Sequence, residues 1–233
     1  MANPYVFFTR IRILFDFWIR ILIIFEMKNI AQLLVDHNVV KTNFENPFTW
    51  ASGISSPIYC DCRELMSIPE ARDLIVKSFV DLIEEEGLNA DVIAGTATAG
   101  IPWASFVAQV LNTPLLYVRG KPKGHGVGKM VEGRCKQEQN ILVIEDAIST
   151  AGSSIQSAQA LRDELEATIG HVLAIFSWDT PQSHVNADEA NLELHPLTHF
   201  GEIAETLLEA GKITEDQKAS LERFHENPTE WKR

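Results

Sequence analysis

The sequence predicts an α/β fold, a doubly wound and mostly parallel sheet with a small N-terminal hood, on three observations. Short apolar runs without a polar face, at 91–95, 114–118, 141–144 and 172–176, suit strands buried on both sides of a parallel sheet. Amphipathic stretches lie between them, and strand–helix alternation is the pattern of a parallel sheet covered by helices. Before the first run, a cluster of aromatic and turn residues from Phe48 to Tyr59 reads as a hairpin outside the sheet core. At 233 residues and 45% hydrophobic content, one domain with appendages is the default.

Taken in order, the chain opens with an apolar, aromatic stretch from Tyr5 to Phe25 that Arg10, Arg12, Asp16 and Arg20 interrupt. Four charges argue against a bilayer-spanning helix, and no small-residue cleavage site follows to suit a secretory signal. The expectation is an N-terminal extension over residues 1–26 from a misassigned start, with an amphipathic anchor as the alternative. The domain proper would run from Met27 to residue 233, its hood over about 27–66. Ile30, Leu33 and Leu34 have helical spacing, and Asn38 is placed to end that segment.

Ser67-Ile68-Pro69-Glu70 predicts a capping box with proline in the first turn, opening a helix that Gly87 stops. The strand at 91–95 delivers Thr96-Ala97-Thr98-Ala99-Gly100, a loop of small residues before a helix from about Ile101 to Leu111. Such a turn can hold an anion on its N–H groups, although close helix–sheet packing would account for its glycines equally well. The strand ending at Val118 leads into Arg119-Gly120-Lys121-Pro122-Lys123-Gly124-His125-Gly126-Val127-Gly128-Lys129. Four of the chain's 20 lysines and arginines fall here, with one histidine and four glycines. A cationic, glycine-rich segment can close over a departing anion.

Ile141 to Ser154, I-L-V-I-E-D-A-I-S-T-A-G-S-S, is the centre of the arrangement. Its apolar run places Glu145 and Asp146 at the carboxyl end of a strand, where open α/β sheets bind ligands. The hydroxylic loop after them, running into a helix that ends near Leu165, offers N–H groups and hydroxyls to a phosphate. Acids beside a phosphate cradle suggest a phosphorylated sugar. A P-loop is excluded, since no Gly-Lys-Ser/Thr follows. Beyond the strand at 172–176, Ser177 to Pro196 reads as a mixed loop whose His184 and His195, like His199 after it, lack ligand spacing and read as surface residues. Two amphipathic helices close the chain over about 200–225.

A net charge of −12 and a pI near 5.0 argue against nonspecific binding to nucleic acid or anionic membrane. Cys60, Cys62 and Cys135 show no metal-like pairing and suit a reducing, cytoplasmic setting.

Three motifs together resemble one family. The E-D motif with S-T-x-G-S resembles the sugar-phosphate signature of type I phosphoribosyltransferases. F-T-W-A-S-G-I-S-S-P-I-Y resembles the hood of the orotate phosphoribosyltransferases, and Y-V-R-G-K-P-K-G-H-G their catalytic loop. The resemblance implies the type I phosphoribosyltransferase fold and orotate phosphoribosyltransferase activity, with 5-phosphoribosyl 1-pyrophosphate (PRPP) and orotate as substrates and Mg²⁺ as cofactor, bound mainly through PRPP. It implies PRPP contacts by Arg119, Lys123, His125, Glu145, Asp146, Ala147, Ile148, Ser149, Thr150, Ala151, Gly152 and Ser153. Arg119, Lys123 and His125 would be catalytic and Ser149 would contact orotate. It further implies a homodimer whose catalytic loop is shared between subunits. Ala151 stands where the family usually has the first of two glycines, which a methyl group tolerates at negative φ. No lysine lies in the hairpin, where Ala51 and Ser55 occupy common lysine positions; either another cation serves or the pyrophosphate end is held more weakly.

Overall fold

The computed structural model describes residues 30–49, 53–122 and 128–231. The stretch Tyr5–Phe25 and the tip of the cationic loop, including Lys123 and His125, lie outside them. A six-stranded sheet forms the centre, built from β5 (Val92–Thr96), β6 (Leu115–Val118), β7 (Val131–Glu132), β8 (Ile141–Ile148), β9 (His171–Ser177) and β10 (Glu193–His199). Its order is β10-β9-β8-β5-β6-β7. All neighbours are parallel except β6 and β7, which pair antiparallel with Val118 opposite Val131.

The apolar runs are continuous because both faces of the sheet are covered. Ile93, Leu142, Ile144, Leu173 and Ile175 join one core with α1 (Ile30–Asp36), α2 (Pro69–Glu85), α3 (Gly100–Leu111), α6 (Phe200–Glu209) and α7 (Glu215–Glu226). Val92, Ala94, Val143, Val172 and Ala174 join the other, beneath α4 (Gly152–Leu165) and α5 (Pro181–Glu189). Successive side chains thus enter opposite apolar layers, as the period of two requires.

The hood consists of two small antiparallel pairs. β2 (Phe48–Thr49) pairs with β3 (Ser55–Ser56), which is the expected hairpin, and β1 (Val40–Thr42) pairs with β4 (Ile58–Cys60). A 3₁₀ helix over Cys62–Ser67 connects the hood to α2.

Four expectations are corrected. The capping box at Ser67 does not form, because Ser67 ends the 3₁₀ helix and its hydroxyl donates to the Glu64 carbonyl (2.8 Å), leaving Ile68 as the N-cap of α2 with Pro69 at its start. β8 runs to Ile148 rather than ending at Ile144, because β9 continues to pair beyond the last residue that β5 reaches. The stretch from Ser177 to Pro196 holds an element and most of another, α5 and β10, rather than a mixed loop. Finally, the His195 side chain is only 9% exposed and lies against His171, so it is not a surface histidine.

Candidate active site

Glu145 and Asp146 occupy the part of β8 that extends past β5, at the carboxyl edge of the sheet. Neighbouring residues on a strand point to opposite faces, and the two acids divide accordingly. Glu145 turns toward α4, where its Oε1 accepts from the Ser153 hydroxyl at 2.6 Å. It is 4% exposed. Burial pushes its carboxyl up to about 8, against the opposing pull of Ser153 and with a further push from the neighbouring charge of Asp146. Asp146 is also raised by burial, and Arg63 of the hood pulls it back toward the ionised form.

Arg63 is the site residue that motif reading missed. Its guanidinium donates to both carboxylate oxygens of Asp61 (2.5 and 2.7 Å) and to the Tyr59 hydroxyl (3.1 Å). The Arg63 hydrogen bond in turn holds the Asp61 carboxyl below its usual value. The available signal was Y-C-D-C-R directly after the hairpin, an acid and a base two apart with an aromatic hydroxyl in reach. Phe48 packs on Tyr59, ring centroids 5.7 Å apart, so the hairpin braces this group.

The loop from Ile148 to Gly152 is braced from α5: the Thr180 hydroxyl donates to the Ser149 carbonyl (3.0 Å) and the Asn186 amide to the Thr150 carbonyl (2.8 Å). Ser149 and Thr150 are exposed while Ala147 and Ile148 are held in the strand. Ala151 has φ 61° and ψ 9°, the left-handed region. The condition for a methyl group at that glycine position is therefore not met, and its backbone cost is about 1–2 kcal/mol. At Gly152, by contrast, an added Cβ would approach only the Thr150 hydroxyl, at 3.8 Å, so the start of α4 faces open space. The Thr96 hydroxyl donates to Ser157 (3.0 Å) within the core, fastening the second loop's strand to α4.

Gly100 answers to packing. A Cβ there would sit 2.3 Å from the Ile144 carbonyl oxygen, so only glycine lets α3 start against β8. Arg119 stands at the root of the cationic loop at this same edge: its N–H donates to the Met130 carbonyl (3.0 Å) and its guanidinium reaches Glu132 at 3.4 Å. The other stem is held by Glu164 of α4, which accepts from the Met130 and Val131 N–H groups (2.7 and 3.3 Å). The antiparallel return of β7, which sequence reading did not resolve, therefore brings both ends of the loop back beside the phosphate-type turn.

The structure thus brings together Arg119 and Glu145 to Ser153 on one edge and adds Arg63; Lys123 and His125 lie outside the described residues. The donors at that edge are carboxylate and hydroxyl oxygens, a set that suits Mg²⁺.

Residues 62–195 match the model of the phosphoribosyl transferase domain family. The orotate phosphoribosyltransferase of Coxiella burnetii is 41% identical over 206 residues, 88% of this chain and 98% of that protein. That of Streptococcus pneumoniae is 43% identical over 204 residues, 88% and 97% of the two chains. Among solved structures, the orotate phosphoribosyltransferase of Aeropyrum pernix superposes with a TM-score of 0.68 at 25% identity, over 79% of this chain and 99% of that one. Leishmania donovani UMP synthase gives 0.70 at 23% identity, over 84% and 41%. With its sheet order, acidic strand end and braced turn all in place, this chain belongs to the orotate phosphoribosyltransferase family.

Proposed function

We propose that the chain transfers the phosphoribosyl group of PRPP to orotate, giving orotidine 5′-monophosphate and pyrophosphate, as a step in pyrimidine nucleotide synthesis. The observation that carries the reading is the acid pair at the end of β8 running directly into a braced, hydroxyl-rich turn with an open helix N-terminus. Ser149 to Ser153 would hold the 5′-phosphate on N–H groups and hydroxyls. Glu145, raised to about 8, can donate as well as accept toward the ribose hydroxyls near neutrality. Asp146, raised by burial and drawn back toward its ionised form by its backbone N–H partners and Arg63, would favour positive charge on the ring.

In the reaction a ring nitrogen of orotate forms the new bond to C1 of the ribose as the C1–O bond to pyrophosphate breaks; the electron pair of that bond leaves with the pyrophosphate, and the proton of the attacking N–H passes to the pyrophosphate or to solvent. Arg119, Lys123 and His125 would meet the developing negative charge, the effect expected of preorganised cations around a leaving group. Ser149 would hydrogen-bond orotate. Mg²⁺, held mainly through the oxygens of PRPP with Asp146 as a nearby carboxylate, would supply neutralising charge. Arg63 is the cation we assign in place of the absent hairpin lysine.

A homodimer is part of the proposal, with the cationic loop serving the neighbouring site. A groove of about 650 Å³ between α2 and α3, lined by Val76, Val80, Phe106 and Val110, is the face we assign to a second copy. Val110 is 61% exposed there, and at the rim Arg72 pairs with Asp73 and Lys77 with Asp81 within the chain, which borders the apolar face with neutralised charge. No helix among the described residues is long and apolar enough to cross a membrane, and we propose a cytoplasmic enzyme acting on small molecules rather than nucleic acid.

The test is consumption of orotate with PRPP and Mg²⁺. Formation of orotidine monophosphate, with hypoxanthine and adenine turned over poorly, is the expected outcome; preference for either purine would overturn the assignment of base.

A further inference from the structure

At the other end of the sheet, three side chains converge that the proposed reaction does not use. The parallel register of β9 and β10 sets Glu193 beside His171 and His195 two residues further along. Alternation along a strand then puts Glu193 and His195 on one face of the sheet. His171 Nδ1 lies 3.0 Å from His195 Nε2, and Glu193 Oε2 lies 3.5 Å from the first and 3.9 Å from the second. Among the described residues this is the one group of three or more histidine, cysteine or acidic side chains close enough to hold a metal ion.

We infer that His171, Glu193 and His195 form a binding site for a divalent transition-metal ion, zinc in the first instance. The triangle carries the argument. A circle through three points with the separations 3.0, 3.5 and 3.9 Å has a radius of about 2.0 Å, the length of a zinc bond to imidazole nitrogen or carboxylate oxygen. In a tetrahedral site with such bonds the ligand atoms stand about 3.3–3.4 Å apart, so the two rings need to separate by only a few tenths of an ångström to admit the ion. Without a metal, the rings share one N–H···N hydrogen bond. That bond alone gives no reason for a carboxylate to complete the triangle on both nitrogens.

Exposure fits a three-ligand site with one open position. His195 is 9% exposed and so fixed by its surroundings, His171 is 35% exposed, and Glu193 is 68% exposed on the sheet's edge strand. A solvent molecule can take the fourth position on the Glu193 side. The donor set selects the metal: two imidazoles with a carboxylate suit zinc, nickel or copper, whereas Mg²⁺ takes oxygen ligands. The site is also separate from the reaction centre. Glu145 pairs with Ala174, three positions along β9 from His171, which is about 10 Å along the strand, and the phosphate turn lies further still. A bound ion would pin β10, the edge strand, to β9, a structural or inhibitory role rather than a part in group transfer.

The experiment uses tag-free, full-length protein freed of metal with a chelator and then titrated with Zn²⁺ by calorimetry and with Co²⁺ by visible absorption. One equivalent should bind, with the intense visible bands of tetrahedral cobalt. His171→Asn and Glu193→Gln, both at exposed or half-exposed positions, should each weaken binding by at least 10-fold, since even the loss of a group that only orients a ligand costs about 10- to 100-fold. Both variants should turn over orotate in Mg²⁺ as the parent does, which separates this site from the proposed reaction. Cys60→Ser should leave zinc binding unchanged. No stoichiometric uptake, uptake indifferent to both variants, or uptake abolished by Cys60→Ser would each overturn the assignment.

Discussion

Glu145 carries the largest electrostatic consequence of any single side chain in the site. Its folded-state value of about 8 lies above the 4.5 of a free glutamate because β8 and α4 take it out of water. An acid raised in this way binds its proton more tightly when folded. Its contribution to stability is complete below pH 4.5 and is lost as pH rises to about 8, at about 1.4 kcal/mol per pH unit and on the order of 5 kcal/mol in all. Glu145→Gln should flatten the decline in stability between pH 5 and 8, measured as urea midpoints across that range; parallel profiles for parent and variant would show that the carboxyl does not titrate there. Ala151 is the second residue whose backbone is decided by its place rather than its type. At φ 61° a glycine relieves about 1–2 kcal/mol of strain that alanine bears, offset in part by about 0.8 kcal/mol for the buried methyl it removes, so Ala151→Gly should raise stability by no more than about 1 kcal/mol in urea unfolding, with the turn unchanged. The acid pair was legible from its position after an apolar run. The opposite directions of the two acids were not, because they depend on which layer each side of β8 meets.

Among the elements, those with strong apolar periodicity were legible and those without it were not. β5, β8 and β9 were recognisable because both their faces are buried, and β6 because its run is apolar even though Leu115 on one face is exposed, whereas α5 buries only Ser183 and Ala187 and so has no apolar stripe to read. Its start was nonetheless written in Thr180-Pro181, an N-cap whose side chain accepts from the Ser183 N–H, followed by proline in the first turn. β10 contains Pro196, which demotes a segment as a strand candidate and is tolerated here because β10 is at the sheet's edge. Gly100 marks the tightest junction between elements, since a methyl group would strike the Ile144 carbonyl. Gly100→Ala should therefore cost about 1–3 kcal/mol and displace the start of α3, seen as a lower melting temperature. In the cationic loop, Lys123→Ala should lower kcat by roughly 10²–10³, the scale of one lost preorganised electrostatic contact, with circular dichroism unchanged. An unimpaired kcat would remove Lys123 from the mechanism.

For the whole molecule, a cationic loop that serves a partner's sheet has a consequence that a loop serving its own sheet lacks. β7 and Glu164 of α4 hold both stems at the carboxyl edge, which fixes where the loop starts and ends. Two defective chains reveal the difference. Lys123→Ala removes the loop's charge and leaves the acid pair; Asp146→Asn impairs the acid pair and leaves the loop. In a two-fold dimer whose loops cross, a mixed dimer of these variants has one site with both defects and one with neither. Random reassortment after joint unfolding and refolding makes half the dimers mixed, so about a quarter of the parent activity should return. If each loop closes over its own subunit, every site in every dimer carries one defect and mixing restores nothing. Recovery should also disappear on dilution below the dimer's dissociation constant, and in a Val110→Asp chain, where a charge enters the groove between α2 and α3, it should fail in step with the loss of the dimer in sedimentation.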